Sequence, residues 1–441
     1  MRVLLVSHGF PPFGVAGVER ATEASAAALV ERGHEVAVLT RRPSVAPYAP
    51  RLRNERHGGL DVFRIWGGGS ATGSYPGFQG RLELLFERVL VDWRPDVVMI
   101  THLMFHSPLY VDIAHAWGIP VAVELHDFYA ACERAHLERA SGELCQGPEA
   151  GVACATHCFA EQEAAELRWT LRTRAFRSAI CSADLLLCPS RFVGDYFERE
   201  FGVHDPAVLG NGVDPMEPYI RSPRRRQPGT LRLATIGVFH HKGPHVVVKA
   251  ARLAGLEAVD YLLLGPISTP YDARLRKDAD SVPGLAARMY GPFAQAELSN
   301  LLLGVDAVVV ASQVPESYSR VARESFACGI PVVASRLGAL PEAVRHGENG
   351  MLFDHESPAQ LAAILQALAD DPHLLEKLRQ GIRRSDWISS AERGDRLDAL
   401  LRDLSSAPVD RLAARVELTS LSAMRSAALE SERPHSIAAG A

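Results

Sequence analysis

The strongest constraint in this sequence is an alternation of short runs of valine, isoleucine and leucine with longer helical patterns, up to about Ala369. Such alternation is typical of βαβ units wound around parallel sheets. The strand candidates of the first half are Arg2–Ser7, Glu35–Thr40, Asp61–Ile65, Val97–Thr101, Pro120–Leu125 and Ala183–Cys188. Those of the second half are Leu231–Gly237, Tyr261–Gly265, Arg288–Tyr290, Ala307–Ala311, Pro331–Ala334 and Met351–Phe353. The pattern predicts an α/β fold with two doubly wound, Rossmann-like domains.

Length also favours two domains, because a chain of 441 residues exceeds the size at which a single core usually stops growing. A polar, basic and proline-rich stretch at Pro218–Gly229 has the composition of a connector. We therefore expect an N-terminal domain over residues 1–215, with a cysteine-rich insertion at 131–160, and a C-terminal domain over residues 216–386. A helix over residues 387–404 is predicted to cross back to the N-terminal domain, and a partly disordered tail would follow over residues 405–441. Ligands are expected in a cleft between the domains, at the carboxyl ends of the strands.

Composition excludes several classes of partner. The chain is 47% hydrophobic and 22% charged with a formal charge of -5, which is typical of a soluble globular protein with no net attraction for nucleic acid. The first apolar run lacks a signal-peptide pattern and no later run is long enough to span a bilayer, which favours a cytoplasmic location. Four arginines on one predicted helix leave open a peripheral contact with the inner face of a membrane, although a solvated basic face is the preferred explanation: Arg168, Arg172, Arg174 and Arg177.

A glycine turn, TIGVFHHKGPH, follows the first strand candidate of the second half. Gly237 ends the strand, Lys242 lies in the turn, and Gly243 precedes the proline that begins the next helix. Glycine lets a backbone approach a ligand closely, while a helix N-terminus and a lysine both attract anions. The turn fits a phosphate cradle, and it also fits an ordinary βα turn with a surface lysine.

Two carboxylates in the stretch PESYSRVARESFACG raise a question about its ligand. Glu316 lies in a predicted loop, and Glu324 lies about one turn inside the following helix. Backbone N–H groups from Tyr318 to Val321 would form a helix N-terminus suited to a diphosphate. A carboxylate is a good acceptor of hydrogen bonds from a sugar diol. The stretch therefore predicts a ligand with hydroxyl groups on both sides of a diphosphate, such as a nucleotide sugar.

The segment ESYSRVARESFACGIPVVAS closely resembles the E-x7-E region of retaining glycosyltransferases of family four. The resemblance extends through PPFGVAGVER, RGHEVAVLT, VELHDFY, VLGNGVD, HKG, ARMYGPF and GENGMLF. It implies a GT-B fold, a donor that is a UDP-, GDP- or dTDP-sugar bound mainly by the C-terminal domain, and a hydroxyl acceptor bound by the N-terminal domain. It also implies transfer with retention of anomeric configuration and without a catalytic metal ion. The acceptor could be a glycan, a lipid-linked compound or a small molecule.

The same resemblance implies roles for individual residues. Glu316 would contact hydroxyl groups of the transferred sugar, and His126 would lie near the reacting sugar, which makes these two the catalytic candidates. Lys242 would neutralise the diphosphate and Glu324 would bind the ribose. The remaining donor-binding candidates are Gly17, in the glycine loop after the first strand, and Gly237, Ser317, Tyr318, Ser319 and Val321.

Two positions depart from the family pattern. Val238 stands where an arginine usually helps to bind the diphosphate, and Ser319 stands where glycine is common. The missing charge keeps a catalytically weak nucleotide-sugar-binding protein open as an alternative. A nucleotide-sugar epimerase or hydrolase of the same fold is a second alternative.

Four of the seven cysteines fall in one segment: Cys132, Cys145, Cys154 and Cys158. Four thiolates can bind zinc in a tetrahedral site, so this set is the candidate for a structural zinc, with His136 and His157 as possible substitute ligands. The spacing has no CxxC pair. Thiols without a metal and an iron–sulfur cluster therefore remain open.

Overall fold

The computed structural model describes residues 1–14, 17–42, 49–67, 80–214, 230–267 and 269–406. The predicted connector at 218–229, the predicted boundary between residues 215 and 216, and residues 407–441 of the predicted tail lie outside the described residues. Within the described ranges, no helix combines the length and the apolar character needed to span a membrane.

The first sheet has eight strands in the order β3-β4-β2-β1-β5-β6-β7-β8. The strands are β1 (Arg2–Ser7), β2 (Glu35–Arg42), β3 (Arg51–His57), β4 (Leu60–Trp66), β5 (Val97–Ile100), β6 (Val121–Glu124), β7 (Leu185–Cys188) and β8 (Ala207–Val208). Strand β1 pairs in parallel with β2 on one side and with β5 on the other. The direction of winding reverses between β1 and β5, so this is the point where a doubly wound sheet opens a crevice.

Helices of the first half follow the strands that they cover. They are α1 (Gly17–Glu31), α2 (Arg81–Trp93), α3 (Tyr110–Ala116), α4 (Val152–His157), α5 (Ala165–Cys181) and α6 (Arg191–Phe201). Their ends agree with local chemistry. In α6, for example, the Ser190 hydroxyl accepts a hydrogen bond from Val193 N at 3.2 Å, and Gly202 ends the helix with a φ of 72°.

The second sheet has six parallel strands in the order β11-β10-β9-β12-β13-β14. They are β9 (Thr230–Val238), β10 (Ala258–Ile267), β11 (Leu285–Gly291), β12 (Ala307–Val310), β13 (Val332–Ser335) and β14 (Gly350–Phe353). This is the 3-2-1-4-5-6 order of a Rossmann sheet, and its reversal lies between β9 and β12.

Helices cover both faces of the second sheet. They are α7 (Pro244–Ala254), α8 (Thr269–Asp280), α9 (Leu298–Leu301), α10 (Arg320–Ala327), α11 (Leu340–Ala343), α12 (Pro358–Asp370) and α13 (Pro372–Gln380). The last helix of the described residues is α14 (Ser390–Ser406). One apolar cluster joins the sheet to α7 and α12 through residues such as Val247 and Leu365. A second joins it to α10 and α11 through residues such as Phe326 and Leu340. Burial on both faces explains why these strands are almost continuously apolar.

The predicted α/β class with two Rossmann-like sheets is confirmed, but strands β3 and β8 and helix α13 were not predicted. Strand β3 has the sequence RLRNERH, which shows no apolar alternation because it is an exposed, antiparallel edge strand. Between β11 and β12, a 3-10 turn at Gln295–Glu297 is followed by the four-residue α9. On α5, Arg172 is buried with its guanidinium over Phe176, so it cannot belong to a solvated basic face.

Contact density divides the chain into two compact units. The first contains Met1–Glu124, Glu166–Leu186 and the chain from Leu397; the second contains Leu125–Ala165 and Leu187–Arg396. The cysteine-rich segment therefore belongs to the same unit as the second sheet. Inside the first unit, Asp398 of α14 is hydrogen-bonded to His34. The predicted domain ranges and the crossing of the last helix stay predictions.

Candidate functional site

Two charged residues meet at the reversal point of the second sheet. Lys242 lies in the turn after β9, and Glu316 lies in the loop after β12. Lys242 Nζ donates to Glu316 Oε1 at 2.7 Å, and the Ser312 hydroxyl donates to the same oxygen. The sequence predicted the two charged residues as separate ligand contacts, whereas the structure pairs them and adds Ser312, which sequence reasoning missed.

Glycines bring these two loops together. Gly243 has a φ of +72°, and a Cβ at this position would lie 1.9 Å from the carbonyl oxygen of Ala311, at the end of β12. Gly338 has a φ of +62°, and a Cβ there would lie 2.4 Å from the backbone nitrogen of Glu316. A side chain at Gly243 would push the Lys242 turn away from the end of β12. A side chain at Gly338, which follows β13, would displace the backbone of Glu316, so both positions need glycine for the Lys242–Glu316 contact.

The carboxyl group of Glu316 is ionised at neutral pH. Burial raises its pKa, but Lys242, the Ser312 hydroxyl and His241 together outweigh burial and hold the pKa below the ordinary value. An ionised carboxylate beside an ammonium group can accept hydrogen bonds from hydroxyl groups, while the ammonium group can bind an anion.

The second predicted carboxylate, Glu324, lies inside α10 and is 6% exposed. Its Oε1 accepts hydrogen bonds from Gln295 Nε2 and from Arg320 Nη2, both at 3.1 Å. Sequence reasoning missed Gln295, because it lies in the loop after β11 and belongs to no recognisable binding motif.

The loop before α10 holds the other predicted donor contacts. The carbonyl oxygen of Ser317 accepts a hydrogen bond from the Ser190 hydroxyl at 2.6 Å. Tyr318 is buried, with the Arg323 guanidinium 3.7 Å from the centre of its ring. Ser319 has a φ of +57°, in the left-handed region, and Val321 packs against the core beneath α10.

Three further residues are placed by the fold. His126 follows the end of β6 and is buried. Gly17 is the first residue of α1 rather than a loop residue, and a Cβ there would meet no atom within 4 Å. Val238 is fully buried in the apolar core of the second sheet, so no charge replaces the usual arginine at that position.

The reversal point of the first sheet carries a polar cluster that sequence reasoning missed. His8 follows β1 and His102 follows β5, and their ring centres lie 4.5 Å apart. His8 Nε2 lies 3.3 Å from Oε1 of Glu19, which is buried at the start of α1. Burial raises the pKa of Glu19, but His8, a backbone hydrogen bond of Glu19 and His102 together outweigh burial and lower it. The available signal was a histidine directly after each of two strand candidates, in VSH and ITH.

Two family models divide this chain between them. The model of the Glycosyltransferase Family 4 domain matches residues 15–217, and the model of the group 1 glycosyl transferases matches residues 222–385. Together they span most of the chain and meet close to the predicted connector. The chain belongs to glycosyltransferase family four.

Curated relatives agree with this family four assignment. The chain is 29% identical over 363 residues to the D-inositol 3-phosphate glycosyltransferase of Pseudarthrobacter chlorophenolicus, covering 79% of this chain and 80% of the relative. It is 27% identical over 414 residues to the glycogen synthase of Mycobacterium tuberculosis, covering 89% and 92%. The predicted enzyme class, a glycosyltransferase, is confirmed.

Solved structures share the GT-B fold of this family four enzyme. Anabaena Alr3699/HepE in complex with UDP and glucose has a TM-score of 0.62 at 18% identity, covering 91% of this chain and 100% of that one. Sucrose-phosphate synthase from Thermosynechococcus elongatus has a TM-score of 0.65 at 16% identity, covering 92% and 100%. The predicted GT-B fold is confirmed.

The predicted zinc site of this glycosyltransferase is not supported. Cys132, Cys145, Cys154 and Cys158 line one pocket, and Cys145 Sγ lies 3.3 Å from the carbonyl oxygen of Gly147. All four are free thiols, and no group of three or more His, Cys, Asp or Glu among the described residues is arranged to hold a metal ion.

Proposed function

We propose that this family four glycosyltransferase moves a sugar from a nucleotide-diphosphate sugar to an acceptor hydroxyl with retention of anomeric configuration. The observation that carries the proposal is the contact of Lys242 with Glu316 at the reversal point of the second sheet. A cation suited to a diphosphate and a carboxylate suited to sugar hydroxyls meet there, where Rossmann sheets bind nucleotides.

Each part of the donor has a candidate partner in the second unit. Lys242 and the N-terminus of α10, from Ser319 to Val321, would bind the diphosphate. Glu324, which Gln295 and Arg320 hold in place, would accept hydrogen bonds from the ribose. We propose a UDP-sugar ahead of a GDP- or dTDP-sugar, since Anabaena Alr3699/HepE has been solved with UDP-glucose.

Donor binding would replace the Lys242–Glu316 pair with two ligand contacts. Lys242 would turn to the diphosphate and stabilise the charge that develops as the bond from the anomeric carbon to the phosphate oxygen breaks. Glu316 would bind hydroxyl groups of the sugar, and His126 would lie near the same sugar. The acceptor oxygen would attack from the face that the diphosphate leaves, and its proton would pass to the leaving phosphate oxygen.

The acceptor would bind in the first domain. Glu19 is ionised and buried beside His8 and His102, at the reversal point of the first sheet. A carboxylate next to imidazole nitrogens can orient a hydroxyl group, and it would repel a phosphate. This favours an acceptor that presents uncharged hydroxyl groups to that cluster.

Donor hydrolysis tests the proposal without knowledge of the acceptor. A thermal-shift panel of UDP-, GDP- and dTDP-sugars selects the donor, because a ligand that binds only the folded state raises the unfolding temperature. Slow hydrolysis of that donor is then followed by NMR, and the released sugar should first appear with the anomeric configuration of the donor. Lys242→Met should lower this rate by about 100-fold.

Lys249→Met is the matched control, because Lys249 is an exposed lysine on α7 outside the site. Its rate should equal that of the wild type. Release of the inverted anomer would contradict retention. Conversion of the nucleotide sugar into an isomer without release would identify an epimerase instead.

A further inference from the structure

The diphosphate site of this enzyme lacks a cation that its family usually supplies. Val238, in the place of that arginine, is buried in the core and cannot reach a ligand. Arg320 forms an ion pair with Glu324, so its charge is already balanced by that carboxylate. The turn between Val238 and Lys242 nevertheless contains two histidines, His240 and His241.

Two aromatic rings stack on the imidazole of His241. The Phe239 ring lies 5.6 Å away at an angle of 3°, and the His136 ring lies 4.8 Å away at 25°. His136 comes from the cysteine-rich segment, which belongs to the same unit as the second sheet. The backbone is fixed as well, since the carbonyl oxygen of His241 accepts a hydrogen bond from Gln313 N at 2.7 Å.

The ring nitrogens of this stack are available to a ligand. Within the described ranges of the chain, neither His136 nor His241 has a ring nitrogen in a hydrogen bond. Both rings keep partial contact with solvent. By contrast, the neighbouring His245 is hydrogen-bonded through Nδ1 to the Tyr271 hydroxyl at 2.9 Å.

Burial and nearby charges keep the imidazole rings of His241 and His136 neutral in the free enzyme. Burial first, then Lys242 and His136, lower the pKa of His241 to about 4, with His240 acting in the same direction and Glu316 against it. Burial and Lys242 also lower the pKa of His136, against Asp127, Glu138 and Glu316. A bound diphosphate would add negative charge beside these rings and reverse this balance.

We propose that His241 binds the diphosphate of the donor in place of the missing arginine, and that His136 is a positioning residue that holds the His241 ring. The inference rests on the proposed function, because it requires a nucleotide-diphosphate sugar as the ligand. His241 donates a hydrogen bond to a phosphate oxygen and takes up a proton as the anion binds.

Binding of UDP-glucose by calorimetry tests both roles. His241→Ala should raise the Kd by about tenfold, and His241→Gln should recover part of the loss because it restores an N–H donor. His136→Ala should also weaken binding, whereas His136→Phe should restore it, since phenylalanine can stack on His241 without donating a hydrogen bond. His245→Ala is the matched control and should bind as the wild type does.

A pH series separates ligand binding from a merely structural role. UDP-glucose is the probe because neither of its phosphates titrates near neutral pH. The wild type should bind it more tightly at about pH 5.5 than at about pH 7.5, since binding takes up a proton on His241. This dependence should disappear in His241→Gln.

The outcomes distinguish the inference from the proposed function. A wild-type enzyme that binds no nucleotide sugar would contradict the proposed function. If the wild type binds UDP-glucose, and folded His241→Ala and His241→Gln bind it with the same Kd at both pH values, the role of His241 is wrong. The proposed function would still stand in that case. Equal weakening by His136→Ala and His136→Phe would overturn the positioning role of His136.

Discussion

Ser319 lowers the stability of the folded protein through its backbone conformation and its buried hydroxyl group. Its φ of +57° is left-handed, a region that side chains with a Cβ adopt at a cost of about 1 kcal/mol. It precedes α10 without capping it through its side chain, and its buried hydroxyl has no hydrogen-bond partner among the described residues. The glycine that is common here in the family avoids both costs.

Ser319→Gly should therefore stabilise the protein by about 1 kcal/mol. The measurement is the denaturant midpoint of unfolding, at unchanged slope. Ser357→Gly provides a control of opposite sign, because Ser357 has an ordinary φ of -115° and its hydroxyl caps α12 by accepting from Gln360 N at 3.3 Å. That variant should lose stability, and a midpoint that falls in both variants would contradict the strain at Ser319.

At the scale of elements, α7 has a glycine with positive φ at each end but different surroundings. Gly243 precedes the helix with a φ of +72°, and a Cβ there would clash with the Ala311 carbonyl oxygen at 1.9 Å. Gly255 follows the helix with a φ of +58°, and a Cβ there would meet nothing within 4 Å. Both positions need a residue that tolerates positive φ. Only Gly243, at the end that faces β12, also has no room for a Cβ.

Gly255→Ala should cost about 1 kcal/mol of unfolding free energy, from backbone strain alone. Gly243→Ala should cost clearly more and should also weaken UDP-glucose binding, because it separates the Lys242 turn from the loop that carries Glu316. Unfolding midpoints and calorimetric Kd values of the two variants check this. Equal losses, with unchanged binding in both, would show that the loops do not need their close contact.

At the scale of the whole molecule, several histidines resist protonation in the folded state. Burial is the largest cause in each: it lowers the pKa of His106 to about 3 and contributes most to the values of about 4 at His241 and His245. His136 shifts in the same direction. His115 shifts upward, chiefly through its hydrogen bond to Asp184. The unfolded chain thus binds more protons than the folded one below the ordinary histidine pKa of 6.5.

Stability should accordingly fall as the pH is lowered from about 7 to about 5, because the free energy of unfolding decreases wherever the unfolded state binds more protons. The carboxyl groups whose pKa values are lowered in the folded state, such as those of Glu19, Asp184 and Glu316, stay ionised in this range, so the histidines dominate. His115 acts in the opposite direction, since its contribution to folding stability is complete below pH 6.5 and is lost as the pH rises. It is one residue against four histidines whose pKa values are lowered.

Unfolding midpoints measured across this pH range test the balance. His245→Gln should show a shallower decline than the wild type, because it removes one of the groups that must stay neutral. A stability that rises on acidification would show that the folded-state pKa values are not lowered.

Sequence reasoning predicted the central strands well because strands buried on both faces must be apolar along their whole length. It failed at β3, where an exposed edge needs no apolar pattern, and at α13, which packs through only two buried leucines, Leu375 and Leu378. The predicted class of ligand, a nucleotide sugar, followed from the charge and chemistry of three side chains, Lys242, Glu316 and Glu324.

By itself, the sequence determined the α/β class, the order of the elements and the family, since these depend on local periodicity and on the spacing of residues within one segment. Only the tertiary structure decided which distant groups meet. Lys242 and Glu316 are 74 residues apart, and they are joined because β9 and β12 are neighbours in the sheet. His136 reaches His241 across a longer separation, and the four cysteines share a pocket without forming a metal site. The physical reason is that strand order and loop packing bring side chains together in space, and no local pattern in the chain encodes that distance.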